Sequence, residues 1–244
     1  MKAAISRFLD LLGYEMRRGP LTLDGLRVEN NFFARHQWIQ QYGFQTIIDI
    51  GANQGQFASR YRRLFPKARI YSFEPITEVF QALVTRFEGD LDFQAFNFGL
   101  GEESGSFSFF QNEFSDSSSL LPMKNLHKEN FPFTKNEKIT QIQVRTLDEI
   151  AESIQLDGPI LIKIDVQGFE KMVIRGGADT LKKASLLIVE VSFQELYENQ
   201  IFFDSIYSDL TALGFRFAGN YDQLISPKNG SILQADALFI NQHD

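Results

Sequence analysis

The chain has 244 residues, a formal net charge of −7 at pH 7 and no cysteine. This length is enough for one α/β domain with a substantial core, and no proline- or serine-rich linker divides it into two. The lack of cysteine excludes disulfides, thiolate metal sites and cysteine nucleophiles, and the negative charge argues against nucleic acid, so we expect a small-molecule or glycan acceptor.

The first predicted element is an amphipathic helix over Met1–Arg18. Its apolar block is too short and too interrupted by charges for a signal peptide or a transmembrane segment, so we expect a cytoplasmic protein. We expect this helix to pack on the core or on a sister subunit of a homodimer, and weak association with a membrane surface is the alternative. We therefore divide the chain into an N-terminal helical segment, residues 1–44, packed on the core, and one core domain, residues 45–244.

Strand and helix patterns then alternate, which is typical of crossover connections and a mostly parallel sheet. The predicted strands are residues 46–50, 69–74, 92–98, 160–165 and 186–191. The predicted helices are residues 54–64, 78–87, 146–153 and 203–213, with a short one before Gly176. A final antiparallel hairpin joins residues 215–220 and 235–241. The order predicts an α/β fold with a doubly wound, seven-stranded sheet.

An insertion of about residues 101–145 follows the third predicted strand. Ser106–Phe110 and Ile139–Val144 alternate like antiparallel strands, and a polar, irregular loop lies between them. Because the insertion is too long for a simple connection, we expect it to be a lid or a wall of the substrate site. We expect its loop to be more mobile than the sheet and to become ordered on ligand binding.

The most informative stretch is Thr46–Phe57, a buried strand that runs into a glycine turn and then a helix. Gly51 lets the chain turn sharply and lets a ligand approach the backbone, and Gly55 lets the next helix sit close. A dinucleotide fold would have Gly-x-Gly-x-x-Gly. This chain has Asp-x-Gly-x-x-x-Gly instead, beginning at Asp49.

The acidic residue favours S-adenosylmethionine (SAM) over NAD. A pyrophosphate is bound by free backbone N–H groups at a helix N-terminus, and Asp49 would repel it but attract the ammonium and sulfonium of SAM. The next strand ends in Glu74 about twenty residues beyond the glycines, where a carboxylate can accept both ribose hydroxyls. Asn97, Asp165 and Glu190 also fall at strand ends, so we expect them at the same carboxyl edge of the sheet.

Six motifs together resemble the FkbM family of SAM-dependent methyltransferases, in order between about Gln45 and Val191. They are Asp49–Gly55, Phe73–Pro75, Asn97–Glu102, Ser117–Leu120, Val144–Asp148 and Ile162–Glu170. The resemblance implies the class I, Rossmann-like methyltransferase fold for the core domain. It also implies an O-methyltransferase that acts on hydroxyls of sugars, glycans or natural products.

The resemblance further implies a set of SAM-binding residues. They are Asp49, Gly51, Asn53, Gly55, Phe57, Glu74, Pro75, Asn97, Phe98, Ser118 and Asp165. Phe98-Gly99 stands where the family commonly has a small residue such as alanine, so the adenine pocket is expected to differ in detail. The run Ser117–Ser119 is interpreted either as a group that orients the acceptor or the SAM carboxylate, or as a flexible turn.

An aliphatic hydroxyl is a poor nucleophile, so methyl transfer to it should need a general base. Asp165 is the first candidate, Glu190 the second and His127, in the insertion, the third. Each has a structural alternative: Asp165 would cap the next turn, Glu190 would form an ion pair with Lys163 or Arg175, and His127 would be a solvated loop residue. Asp165 and Glu190 together would also suit Mg²⁺.

Two other classes of function stay open at this point. An NAD(P)-linked oxidoreductase usually has Tyr-x-x-x-Lys, and none of the seven tyrosines has a lysine four residues later. A non-catalytic subunit with a SAM fold would keep Asp49 and Glu74 but lack a working acceptor pocket. The sequence does not separate this second class from an enzyme.

Overall fold

The computed structural model describes residues 32–112, 137–197, 200–226 and 229–242. The predicted helix Met1–Arg18 and the polar loop of the insertion, with Ser118 and His127, lie outside the described residues. A short helix of residues 32–36 and a 3-10 helix, Gln37–Tyr42, precede the sheet. Ile39 of this 3-10 helix is fully buried against the core.

The described strands and helices follow the predicted alternation. The strands are β1 (Thr46–Ile50), β2 (Arg69–Phe73), β3 (Phe93–Phe96), β4 (Gly99–Leu100), β5 (Gly105–Asn112), β6 (Glu137–Arg145), β7 (Ile160–Ile164), β8 (Leu186–Ser192), β9 (Phe215–Ile225) and β10 (Ile232–Asn241). The helices are α1 (Gln56–Leu64), α2 (Thr77–Arg86), α3 (Leu147–Ala151), α4 (Glu170–Gly176), α5 (Ala178–Leu181) and α6 (Phe203–Ala212).

Seven of these strands form one sheet in the order β3-β2-β1-β7-β8-β10-β9. The first five are parallel, and β10 runs antiparallel between β8 and β9. The chain starts in the middle of this sheet, winds outward to β3 and then returns to β7, so the order reverses between β1 and β7. The predicted fold, a doubly wound sheet with an antiparallel C-terminal hairpin, is confirmed.

The largest differences from the predicted boundaries are at the third strand and the terminal hairpin. The third strand ends at Phe96 rather than residue 98, because the Asn97 side chain instead donates hydrogen bonds to the carbonyls of Glu74 and Pro75. The terminal hairpin is longer than predicted and contains register shifts between β9 and β10. Such bulges break the strict alternation on which a prediction from sequence depends.

The insertion contributes a second, three-stranded sheet of order β4-β6-β5. β5 and β6 are antiparallel, as the alternating pattern predicts. Phe109, Ile142 and Val144 of this small sheet are buried against Ile76 and Val79, which belong to α2 and the residue before it. The insertion is therefore anchored beside the end of β2.

The central strands are covered on both faces, and every residue of β1, β7 and β8 is buried. Successive side chains alternate between two hydrophobic clusters. Ile48 and Ile162 lie in one cluster, whereas Ile47 and Leu161 lie in the other, with α1. None of the helices in the described ranges is long and apolar enough to cross a membrane.

Candidate functional site

A buried lysine links two aspartates at the carboxyl edge of the sheet. Asp49 of β1 is in register with Lys163 of β7, and Asp165 follows β7 directly. The Lys163 Nζ atom lies 3.0 Å from Asp165 Oδ2 and 3.8 Å from Asp49 Oδ1. Burial by itself would lower the pKa of Lys163, but the two carboxylates outweigh it and raise that pKa. Lys163 is therefore a permanent cation between them.

Asp49 is the most deeply buried of the acidic groups, with 0% of the residue exposed. Neither of its oxygens has a well-formed hydrogen bond to the described residues. Burial raises the pKa of Asp49 to about 6, while Lys163 and the backbone amide of Ala58 oppose the shift. A buried carboxylate with so few donors is energetically costly, and a cation bound beside it would stabilise it.

The glycine turn after β1 is packed between two strand ends. Gly51 has φ 79°, and a Cβ atom there would overlap the backbone carbonyl oxygen of Asp165. A Cβ atom on Gly55, φ 81°, would lie 2.7 Å from side-chain atoms of Leu83 and Phe87 in and after α2. Gly51 is thus required by the approach of the Asp165 backbone, and Gly55 by close helix packing.

Glu74 is buried and orders the loop around it. Its Oε2 atom accepts a hydrogen bond from the Asn53 backbone N–H (3.0 Å), and its Oε1 atom accepts one from the Ile76 N–H (2.8 Å). Asn97 supports the same loop, since its Nδ2 group donates to the carbonyls of Glu74 (2.9 Å) and Pro75 (3.1 Å). Asn97 therefore ties the Glu74–Pro75 segment to the residue after β3.

Two aromatic rings among the predicted SAM-binding residues have different neighbours. Phe57 stacks on Tyr61 with ring centres 4.0 Å apart, and Lys163 Nζ lies 5.4 Å from the Phe57 ring centre. The ring centres of Phe98 and Phe73 lie 5.7 Å apart, and the Arg145 guanidinium carbon lies 5.2 Å from the Phe98 ring centre.

Asp165 and Glu190 are joined by the side-chain amide of Gln167. The Gln167 Nε2 group donates to Asp165 Oδ1 at 2.8 Å and lies 3.2 and 3.1 Å from the two Glu190 oxygens. Glu190 also accepts a hydrogen bond from Gln234 at 2.9 Å. The structure thus brings the first two predicted catalytic residues together.

The structural alternatives for Asp165 and Glu190 find no support in the described residues. The turn after β7 is capped by Glu170, which accepts from the Val166 and Gly168 N–H groups, and not by Asp165. Lys163 pairs with the two aspartates, and Arg175 pairs with Glu102, 3.3 Å away. Neither cation forms an ion pair with Glu190.

Further acidic groups surround this pair. Asp236 of β10 lies opposite Glu190 of β8. Burial is the main reason that the pKa values of Glu170 and Asp236 rise to about 7 and that the pKa of Glu190 rises well above its ordinary range. Repulsion from Asp165 adds to each shift. These acidic groups outnumber Lys163, the buried cation beside them. This edge of the sheet therefore favours a positively charged ligand.

The predicted Mg²⁺ site does not fit this arrangement. Within the described ranges, no group of three or more histidine, aspartate or glutamate side chains is placed to hold a metal ion. The position between Asp165 and Glu190 is spanned by the N–H donors of Gln167, and an N–H donor is not a metal ligand.

The sequence reasoning missed three contributors to the site: Gln167, Asp236 and the double role of Lys163. The available signals were a lysine inside an otherwise apolar buried strand and an aspartate inside the apolar stretch of β10. A charged residue at such a position is costly unless paired. No local signal marked Gln167 as a bridge.

Comparisons with known proteins identify the family. The profile of the methyltransferase FkbM domain matches residues 49–217. The 2-O-methyltransferase NoeI of Sinorhizobium fredii is 33% identical over 163 residues, which cover 64% of this chain and 66% of that protein. The hexuronic acid methyltransferase AglP of Haloferax volcanii is 28% identical over 148 residues, 59% of this chain and 55% of that protein.

A third relative, methyltransferase 1 of Beauveria bassiana, is 32% identical over 143 residues, 53% of this chain and 57% of that protein. The chain thus spans less than two thirds of the length of these curated relatives. Among solved structures, Aeropyrum pernix fibrillarin has a TM-score of 0.45 at 12% identity, over 80% of this chain and 66% of that one. At this identity and TM-score, the structural similarity carries no argument about function.

Proposed function

The chain belongs to the FkbM methyltransferase family, and from this premise we propose that it is a SAM-dependent O-methyltransferase whose acceptor is a hydroxyl of a sugar, glycan or natural product. The observation that carries the proposal is the buried, poorly hydrogen-bonded carboxylate of Asp49 beside the glycine turn. A phosphate-bearing cofactor would be repelled there, whereas a cationic one is attracted.

The residues of this edge fit SAM. Asp49 and the neighbouring acidic side chains attract its positive charge, the buried Glu74 carboxylate after β2 is a hydrogen-bond acceptor for the ribose hydroxyls, and the Phe98 ring offers a flat apolar wall for the adenine. Asn97 acts by holding the backbone of Glu74 and Pro75 in place. When bound, SAM supplies a methyl group on a positively charged sulfur.

The chain's own contribution to the reaction is orientation and proton acceptance. Asp165 has a side chain that is 16% exposed, so an acceptor hydroxyl can reach it. Lys163 holds its Oδ2 atom and Gln167 its Oδ1 atom, so the carboxylate has a fixed direction in which to take the hydroxyl proton. Burial and the nearby carboxylates raise the pKa of Glu190, which favours its protonated form, and a protonated carboxyl group cannot accept a proton. We therefore rank Asp165 first.

The names of two relatives support an oxygen acceptor in a sugar. One is a 2-O-methyltransferase and another a hexuronic acid methyltransferase. We propose the same broad acceptor class for this chain, and His127 and Ser118 remain proposed contributors from the insertion.

The test combines binding with transfer. Calorimetric titration with SAM is followed by incubation of the protein with methyl-labelled SAM and a panel of glycans and cell extracts, and the labelled product is identified by mass spectrometry. We expect SAM binding and a methyl ether on a hydroxyl. SAM binding without transfer to any acceptor would favour the non-catalytic subunit, and NAD(P) binding in place of SAM would favour the oxidoreductase.

A further inference from the structure

We propose that Gln167 is a positioning residue, which holds the Asp165 carboxylate in its reactive orientation by cross-linking it to Glu190 and Tyr197. The inference rests on the proposed function, in which Asp165 accepts the proton of the acceptor hydroxyl. Gln167 itself need not touch either substrate.

The backbone of Gln167 has a conformation that is unfavourable for a residue with a side chain. Its φ is 53°, in the left-handed region that side-chain-bearing residues rarely adopt. Among the described residues other than glycine, only Asn53 shares a positive φ, and it also lies at the carboxyl edge. Glycine would fit this turn with less strain. A glutamine with this backbone conformation indicates that its side chain has a functional role.

The partners of the Gln167 amide determine which end is nitrogen and which is oxygen. Its NH₂ group faces Asp165 Oδ1 at 2.8 Å and the two Glu190 oxygens at 3.2 and 3.1 Å. Its Oε1 atom accepts from the Tyr197 hydroxyl at 2.9 Å. The reversed amide would place a carbonyl oxygen against Asp165 Oδ1, an oxygen of the carboxylate that is ion-paired with Lys163 and has no proton to donate. One N–H therefore serves Asp165, and the other is shared between the Glu190 oxygens.

The far end of this chain of contacts is itself fixed. Tyr197 is fully buried, and its backbone N–H donates to Gln200 Oε1 at 3.2 Å. Gln200 in turn donates to the Ser192 hydroxyl at the end of β8, 2.6 Å away. The position of the Gln167 amide is thus set by β8 and the residues after it, and not only by its own loop.

A neutral donor has a specific advantage at this place. Lys163 already pairs with Asp165 Oδ2, and a second cation on Oδ1 would make the carboxylate a weaker base. An amide N–H fixes the direction of Oδ1 without adding charge. It also lies between Asp165 and Glu190 and donates to both, although the two acidic groups repel each other and this repulsion helps to raise the pKa of Glu190.

The test compares variants that separate shape from hydrogen-bond donation. Gln167→Glu keeps the size of the side chain and an oxygen for Tyr197 but loses the donor, Gln167→Met loses every polar contact, and Tyr197→Phe releases the Gln167 carbonyl. The control is Asn241→Asp, since Asn241 is a buried amide at the opposite edge of the sheet that donates to Lys182 and Ala184. For each protein, kcat and KM are measured with an acceptor that the parent protein methylates, together with the Kd for SAM.

We expect both Gln167 variants to lower kcat by about 10- to 100-fold, the effect of a displaced catalytic group, with Kd for SAM within about threefold of the parent. Tyr197→Phe should lower kcat by about 3- to 10-fold in the same way. Asn241→Asp should lower the melting temperature but leave kcat within about threefold.

A normal kcat in folded Gln167→Glu would overturn the proposal. If the Gln167 variants fail to fold, a normal kcat in Tyr197→Phe would do so.

A structural measurement keeps this inference separate from the proposed function. If the parent protein methylates no acceptor, the proposed function fails, and crystal structures of the parent and of Tyr197→Phe with S-adenosylhomocysteine decide the positioning role. A turned or disordered Asp165 carboxylate in the variant supports it. An unchanged carboxylate overturns it.

Discussion

The backbone of Gly51 passes so close to Asp165 that a Cβ atom on Gly51 would overlap the Asp165 carbonyl oxygen. The Gly51 N–H also donates to the Phe73 carbonyl, 3.1 Å away. The glycine turn is therefore held between the ends of β2 and β7. The proposed cofactor turn and the proposed base share one rigid junction.

This junction predicts a large effect of a single methyl group. Gly51→Ala should lower the free energy of unfolding by about 2 to 4 kcal/mol, because a left-handed φ and a clash with backbone add together. Gly43→Ala is the control, since Gly43 also has a positive φ, 59°, but nothing lies within 4 Å of its Cβ position. It should cost only about 1 kcal/mol. Urea unfolding of both variants measures the difference, and equal losses would show that the Asp165 carbonyl moves aside easily.

The second prediction concerns the ribose contact. Glu74→Ala should weaken SAM binding by about 1 to 3 kcal/mol, the cost of leaving polar ligand groups unpaired. Some stability should be lost as well, because the N–H groups of Asn53 and Ile76 lose their acceptor. Calorimetry is therefore done on protein shown to be folded by circular dichroism. Glu102→Ala, which removes an exposed partner of Arg175, should leave SAM affinity unchanged. Equal affinities in the two variants would remove the ribose assignment.

The third prediction concerns the base. Asp165→Asn keeps the shape but removes the basic oxygen, so single-turnover methyl transfer at saturating SAM should slow by about a hundredfold to ten-thousandfold. SAM affinity should change little. Glu190→Gln should have a smaller effect, because burial and the nearby carboxylates already hold the pKa of Glu190 well above its ordinary range. A near-normal rate in Asp165→Asn, or the larger loss in Glu190→Gln, would reverse the assignment.

The fourth prediction concerns pH and stability. Burial raises the pKa of Asp49 to about 6 in the folded protein, compared with about 3.9 in an unfolded chain. The folded state binds more protons than the unfolded state between these values, so this group's contribution to stability falls as pH rises from about 4 to about 7. The parent should therefore lose about 1 to 2 kcal/mol more than Asp49→Asn between about pH 5 and about pH 8.

Urea unfolding of both proteins at the two pH values gives this difference directly. Glu170 and Asp236, whose pKa values also rise to about 7, are present in both proteins and affect them alike. Parallel pH profiles of the parent and Asp49→Asn would mean that Asp49 titrates as an ordinary exposed aspartate.

The sequence by itself determined the sheet and the edge that carries the site. Hydrophobic periodicity and glycine turns are local signals, so β1, β7 and β8 could be located from them. The carboxyl ends of parallel strands meet at one edge. Asp49, Glu74, Asp165 and Glu190 could therefore be expected together, although the sequence could not assign a partner to any of them.

Only the tertiary structure decided those partners, because each depends on contacts between residues far apart in the chain. Gln234 reaches Glu190 across 44 positions, and Tyr197 reaches Gln167 across 30. The burial that raises the pKa of Asp49 comes from packing around the strand and not from its own segment. A glycine pattern likewise indicates a tight turn, but only the fold shows that the space beside Gly51 is occupied by the backbone of Asp165.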